Sequence, residues 1–308
     1  MSGKVYDALV IGGGTAGLVS AIYLQRSALS CAVLEAEGFG GRIYPSPTID
    51  NYPAMPGVSG ADYSEKLREQ AESLGAELLL ESALELFKSG RLWRVLATGR
   101  EFLAKTIIYA AGEKHRSLGV PGEQEHFGRG VAVCAACDGA FFRGKKTAVV
   151  GGGDKALDDA LLLSRLCTKV HLIHRRSEFR AAGGSVAKIK ETKNITLHTN
   201  RLVKSIDGDE RVNSICICGP EGEDEKTLAV SGVFVAIGSI PQTGLVSGLV
   251  ELNSGGYVVA SEDCKTSVPG LFVAGDVRAK PVRQLVTAAA DGATAALSAA
   301  EYIMHTKF

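Results

Sequence analysis

The chain has 308 residues, enough for two domains of ordinary size. It is 45% hydrophobic and 22% charged, and its 34 basic and 34 acidic residues cancel to a formal net charge of zero. That balance excludes a global electrostatic attraction to nucleic acid or an anionic membrane, and no apolar run approaches the ~20 residues of a membrane span.

Residues 1–6 carry no basic segment, long apolar segment or cleavage site, so the chain reads as cytoplasmic and soluble. Val5–Ile11 is a short apolar run rich in β-formers and predicts a strand that ends in a glycine cluster. Leu18, Ala21, Ile22 and Gln25 follow at helical spacing, and Cys31, Ala32, Val33 and Leu34 predict a second strand. The same unit returns later. Lys146–Val150 predicts a strand, Gly151-Gly152-Gly153 a turn, and Ala156, Leu157, Ala160, Leu161 and Ser164 a helix. Residues 169–173 predict the next strand. The two copies lie too far apart for a solenoid repeat and fit two nucleotide-binding domains. The chain ends in an alanine-rich helix from about Leu285 to His305, whose composition predicts a tightly packed inner helix.

Each glycine turn sits between a strand and a helix, the context that makes the motif credible. In the first, Gly12, Gly14 and Gly17 let the backbone approach a pyrophosphate, and Thr15 and Ala16 open a helix whose free N–H groups favour an anion. The acid at the end of the second strand is Glu35, which accepts hydrogen bonds from a ribose diol and repels a 2′-phosphate. This loop suits FAD or NAD. The second loop has Gly151, Gly153, Asp154, Lys155 and Ala156, and its second strand ends in His174-Arg175-Arg176, with Arg180 beyond. Guanidinium groups at the ribose position suit the 2′-phosphate of NADPH. NADPH delivers hydride, and a flavin is the usual mediator to a disulfide, so the first site is most simply FAD.

Seven cysteines, an odd number, do not make a secreted disulfide framework. Cys31, Cys167 and Cys264 read as small buried apolar residues. Cys134-Ala-Ala-Cys137 has the spacing of a redox pair, of a zinc half-site, or of neither. Zinc needs four ligands, and the one partner pair is Cys216-Ile217-Cys218, so no metal is expected. Thiol exchange needs a thiolate and a resolving thiol close by, and Asp138 is placed to relay the proton.

These residues together resemble the low-molecular-weight, bacterial-type thioredoxin reductases, over nearly the whole chain. The resemblance rests on residues 12–17, Gly40-Gly41, Asp50-Asn51-Tyr52-Pro53, residues 134–139, residues 151–156, residues 174–180, Gly275-Asp276-Val277, Arg283-Gln284, Thr287 and Asp291-Gly292. It implies an α/β fold of two Rossmann-like, three-layer domains. An FAD domain would cover residues 1–113 and 242–308, with an NADPH domain carrying the CxxC, residues 114–241, inserted between. It implies FAD contacts from Glu35, Gly40, Gly41, Arg42, Asn51, Ala83, Gly275, Asp276, Arg283, Gln284 and Leu285, and NADPH contacts that include Ile237 and Gly238. Cys137 would face the flavin, Cys134 would attack the disulfide of thioredoxin or a thioredoxin-like protein, and Asp138 would be the acid/base. A homodimer is implied, as is rotation of the inserted domain between steps, with the crossings at residues 112–114 and 241–244. The chain departs from the family at Lys155 (usually Ser or Thr), Arg42 (usually Gln), Val282 (usually aromatic) and residues 181–184, whose glycines weaken an expected helix. The rival readings are a relative fed by ferredoxin or another donor, a flavin-dependent dithiol oxidase, and a nucleotide-sensing flavoprotein without turnover.

Overall fold

A computed structural model describes residues 4–181 and 183–308. Residues 1–3, which head the expected first domain, and Ala182 of the glycine-rich stretch lie outside the described residues. The chain forms two compact units, Met1–Lys114 with Ile240–Phe308, and His115–Ser239.

In chain order the first segment contains β1 (Val5–Ile11), α1 (Thr15–Arg26), β2 (Cys31–Leu34), α2 (Gly60–Ser73), β3 (Glu77–Leu79), β4 (Ala83–Ser89), β5 (Leu92–Ala97), β6 (Glu101–Tyr109) and β7 (Glu113–His115). The inserted unit continues with β8 (Val131–Ala132), α3 (Ala135–Asp138), β9 (Lys146–Val150), α4 (Asp154–Ser164), β10 (Lys169–His174), α5 (Gly183–Glu191), β11 (Ile195–Thr199), β12 (Leu202–Gly208), β13 (Val212–Cys218), β14 (Lys226–Ala229) and β15 (Gly232–Val235). The chain closes with β16 (Ser239–Pro241), β17 (Leu271–Val273) and α6 (Leu285–His305).

The discontinuous unit holds a sheet in the order β3-β2-β1-β6-β5-β4, with β17 also on β6. β6 makes this possible because it is long. It pairs parallel with β1 over Leu103–Tyr109, antiparallel with β5 over Glu101–Ala104 and parallel with β17 over Ile107–Tyr109. Successive β1 side chains point to opposite faces, so Ala8 and Val10 enter one core and Leu9 and Ile11 the other. Helices α1 and α6 cover the first face. They approach closely because Gly292 lies against Ala16, and the Ser20 hydroxyl donates to both the Ala16 and Gly292 carbonyls. The alanine-rich helix is therefore inner on one side only. Ala295, Ala296 and Ala299 are buried, while Val286, Leu297 and Met304 are exposed.

The inserted unit has three layers. Its middle layer is a five-stranded parallel sheet, β11-β10-β9-β15-β8. Val149, Val170, Leu172 and Phe234 face α4 and α5, and Ala148, Val150, Ile173 and Val233 face the antiparallel sheet β12-β13-β14. The glycine-rich stretch does not abolish its helix. Gly183 and Gly184 open α5, where they displace no interior helical residue, and Ile189 anchors it to the core. Cys31, Cys167 and Cys264 are buried. Fold class agrees with the sequence reading: two α/β units, each built on a parallel strand–turn–helix core, with antiparallel strands β4 and β5 continuing the sheet of the first and a separate antiparallel sheet covering that of the second.

Phe234 is fully buried and packs edge-on against Phe142 at 5.3 Å. Phe234→Ala should destabilise the inserted unit by roughly 3–5 kcal/mol. Hydrogen exchange of the β9 and β15 amides reads that loss directly, and unchanged protection would contradict the packing.

Candidate dinucleotide and redox sites

Both glycine turns sit at the C-terminal end of a strand flanked by neighbours on opposite sides, the place where open α/β sheets bind ligands. At the first turn Gly12 takes a φ of +110°, and a side chain there would strike the Ala110 carbonyl at the end of β6. Gly14, the N-cap of α1, gives the helix no side-chain cap. The first helical N–H groups thus remain available to an anion.

Glu35 stands just past β2. Its carboxylate accepts from the Gly13 N–H at 2.7 Å and from the Glu37 and Gly38 N–H groups at 2.8 and 3.3 Å. A carboxylate has about four acceptor positions, which leaves capacity for a ribose hydroxyl. Gly40 and Gly41 lie beside the turn, held by the Gly40 N–H to the Gly13 carbonyl at 2.9 Å. Gly275 abuts Ala16 on the other side. Asn51 donates to the Gln284 Oε1 at 3.1 Å, and Gln284 caps α6, which Leu285 begins. Ala83 opens β4 and packs against the core.

A charged cluster closes the same site. Arg42 donates to Glu113 at 2.6 Å and lies 3.6 Å from Asp276. Tyr257 donates to Glu113 at 2.8 Å, and Arg283 stacks over the Tyr257 ring at 3.8 Å. Burial raises the Asp276 carboxyl above its ordinary range, against the pull of Arg42 and Lys280. Its Oδ1 is buried without a hydrogen bond. A ligand hydroxyl would satisfy that orphan acceptor, so the residues present fit a flavin nucleotide. Glu113 and Tyr257 escaped the sequence reading, since neither sits in a motif and 144 residues separate them.

The second turn repeats the first. Gly151 has a φ of +156°, and a side chain there would strike the Ala236 carbonyl after β15. Gly153 caps α4 without a side-chain bond and faces open space, with Asp154, Lys155 and Ala156 following. Ile237 and Gly238 leave β15 at the same sheet edge. His174 lies buried beneath the loop, where its ring occupies the space a Gly152 side chain would need and stacks on Phe179. Burial, reinforced by the nearby arginines, lowers its proton affinity. Arg175, Arg176 and Arg180 are exposed, and the Arg180 N–H donates to the Gly152 carbonyl at 2.9 Å, fixing that arginine to the loop. These groups fit a phosphorylated dinucleotide. Lys155 turns back along α4 to Asp159 at 2.7 Å and does not crowd the loop.

The redox segment uses the same sheet edge, because β8 leads into it. Cys134 and Cys137 form a disulfide across the single turn of α3, with Cα atoms 5.3 Å apart. The Cys137 N–H donates to the Cys134 sulfur at 3.2 Å, and the Asp138 N–H to the Cys134 carbonyl at 3.0 Å. Burial pushes the Asp138 carboxyl from its ordinary 3.8 up to about 6. It can hold or release a proton near neutrality, on the residue that follows Cys137. Cys216 and Cys218 lie on β13 as free thiols.

A pyridine nucleotide-disulphide oxidoreductase family model matches residues 6–293. The chain is 39% identical over 300 residues to a thioredoxin reductase of Treponema pallidum, covering 97% of each. It is 39% identical to a bifunctional thioredoxin reductase/thioredoxin of Mycobacterium leprae, covering 97% of this chain and 66% of that protein. Among solved structures, the thioredoxin reductase of Streptococcus pyogenes superposes with a TM-score of 0.94 at 36% identity, over 98% of this chain and 99% of that one.

A raised carboxyl pKa favours the folded state at low pH. Between its ordinary 3.8 and about 6 the folded protein binds more protons than the unfolded one, so stability falls as pH rises through that window. Asp138→Asn should remove the slope and gain about 2 kcal/mol relative to the parent on going from about pH 4 to pH 7. Denaturant unfolding series across that range should show it; parallel curves would contradict the burial argument.

Proposed function

The chain belongs to the pyridine nucleotide-disulphide oxidoreductase family, and on that premise we propose that it is an NADPH-dependent flavoprotein that reduces the disulfide of thioredoxin. The observation that carries this reading is the Cys134–Cys137 disulfide on the same sheet edge as a glycine turn followed by three exposed arginines. When bound, FAD would supply a two-electron relay from the hydride donor to that disulfide.

The chain's own groups do the rest. Gly12, Gly14 and the α1 N-terminus take the flavin nucleotide's pyrophosphate, Glu35 takes its ribose, and Asp276 takes a hydroxyl. Gly151, Gly153 and the α4 N-terminus take the NADPH pyrophosphate, and Arg175, Arg176 and Arg180 grip its 2′-phosphate. Reduction leaves two thiols. The Cys134 thiolate attacks the partner's disulfide to form a mixed disulfide, and Cys137 displaces the partner as a dithiol. Asp138 holds the proton that must move as each sulfur leaves. The reading includes rotation of the inserted unit between half-reactions, because nicotinamide and disulfide each need the flavin. It also includes a homodimer and a cytoplasmic setting. Exposed Val286, Leu297 and Met304 on α6 support association, and no helix among the described residues is long and apolar enough to cross a membrane.

Anaerobically, NADPH should bleach the bound flavin, and oxidised thioredoxin should restore its colour. A flavin that stays oxidised with NADPH but bleaches with reduced ferredoxin would overturn the donor. Replacing Arg175 and Arg176 together with alanine removes charge-assisted bonds of about 1.5–3 kcal/mol each. The NADPH KM should rise at least about tenfold while the thioredoxin KM stays within about twofold.

A further inference from the structure

Arg42 and Glu113 lie 71 residues apart in the chain and meet at the first dinucleotide site. Arg42 belongs to the short turn Gly41–Ile43, which follows the glycine bonded to the Gly13 carbonyl. Glu113 opens β7. The Arg42 Nη1 donates to Glu113 Oε1 at 2.6 Å. The second carboxylate oxygen accepts from the Tyr257 hydroxyl at 2.8 Å and lies 3.6 Å from Arg283 Nε. Both oxygens are thus committed, and the carboxylate is held in one place. A neutral side chain at 42 would leave a buried carboxylate without this cation, which is costly. Yet an intact buried ion pair adds little stability over apolar side chains of similar volume, so stability alone accounts poorly for its presence.

The two charges are not equivalent toward the site. The same Arg42 nitrogen lies 3.6 Å from Asp276 Oδ2. The other Asp276 oxygen is the orphan acceptor that a hydroxyl of the flavin nucleotide would satisfy. Of the cations near Asp276, the Arg42 side chain is 39% exposed, against 24% for Arg283 and 5% for Lys280. Lys280 is committed to Asp291 at 2.9 Å, and Arg283 donates to the Asp276 carbonyl and stacks on Tyr257. Glu113 is 5% exposed. The pair therefore presents its positive member beside the nucleotide contact and keeps its negative member buried behind it.

We propose that Arg42 raises the reduction potential of the bound flavin, and that Glu113 is the positioning residue that fixes Arg42 for this task. Two electrons arriving with one proton leave one more negative charge on the cofactor. A cation already fixed at the site stabilises that charge without reorganising when it appears. Glu113 opposes the effect as an anion, in part offset by Arg283, and no electron or proton passes through either residue. The inference rests on the FAD reading above.

The test is anaerobic reduction of the FAD-loaded protein in equilibrium with reference dyes of known potential, followed by the colour of the flavin. Arg42→Gln should lower the equilibrium constant for two-electron reduction about tenfold, a fall of about 30 mV in the midpoint. Arg42→Lys keeps the charge and should hold the midpoint nearer the parent than Arg42→Gln does. Glu113→Gln removes the opposing anion and should raise the midpoint. Breaking one ion pair from its two sides thus moves the potential in opposite directions, whereas a pair with a structural role alone responds alike to both. A midpoint in Arg42→Gln equal to the parent's overturns the tuning, as does Arg42→Lys falling as far as Arg42→Gln, or Glu113→Gln shifting in the same direction. Arg42 is half-exposed, so its two variants decide the matter by themselves if Glu113→Gln does not fold. A parent protein that takes up no FAD overturns the flavin reading and the tuning together.

Discussion

At each of the two glycine turns the backbone has no room for a methyl group. Gly12 faces the Ala110 carbonyl and Gly151 faces the Ala236 carbonyl, in each case at the end of the neighbouring parallel strand. This closeness turns the chain directly from a strand into a helix. It also leaves both helix N-termini uncapped by any side chain, open toward a ligand. Each unit is arranged around such a turn. The strand's last four residues are buried beneath it, a helix packs across one face, and the second strand leads into Glu35 in one case and into Arg175 and Arg176 in the other.

The remaining chemistry rests on buried acids with differing partners. Asp291 receives the Gly275 N–H, Arg278 and Lys280, and so fixes the Gly275–Val277 turn to α6. A buried charge so fully paired is costly to break and positions Asp276 rigidly. Glu113 is held by Arg42 and Tyr257. Asp138 has burial without a compensating cation, and its proton affinity climbs accordingly. The structure thus separates acids that anchor from the acid that can exchange a proton, by what surrounds each carboxyl.

The motifs were legible because they are local. A strand, a glycine turn, a helix and a second strand lie within thirty-odd residues, and their spacing alone specifies phosphate binding and ribose choice. The CxxC was legible for the same reason. Glu113, Tyr257 and Asp159 were not. Asp159 follows another aspartate on an ordinary helix, and which of the two is buried depends on α3 packing against α4. Lys155 stood out only as a departure from the usual Ser or Thr; its pairing with Asp159 follows from the side chain lying along the helix. The glycines at 183 and 184 suggested a weakened helix, yet α5 forms, because they stand in its first turn rather than its interior and Ile189 packs into the core.

The sequence by itself determined the two-nucleotide α/β class, the flavin and NADPH preferences and the redox pair. Those depend on residue type at short, fixed spacings, and backbone geometry converts such spacings into shape without outside help. Only the tertiary structure decided that the final helix is buried on one side, that Asp138 carries a raised proton affinity, that Glu113 collects Arg42 and Tyr257, and that Lys155 pairs with a buried Asp159. Burial and long-range pairing set these, and both are properties of residues distant in the chain, whose meeting no local pattern encodes.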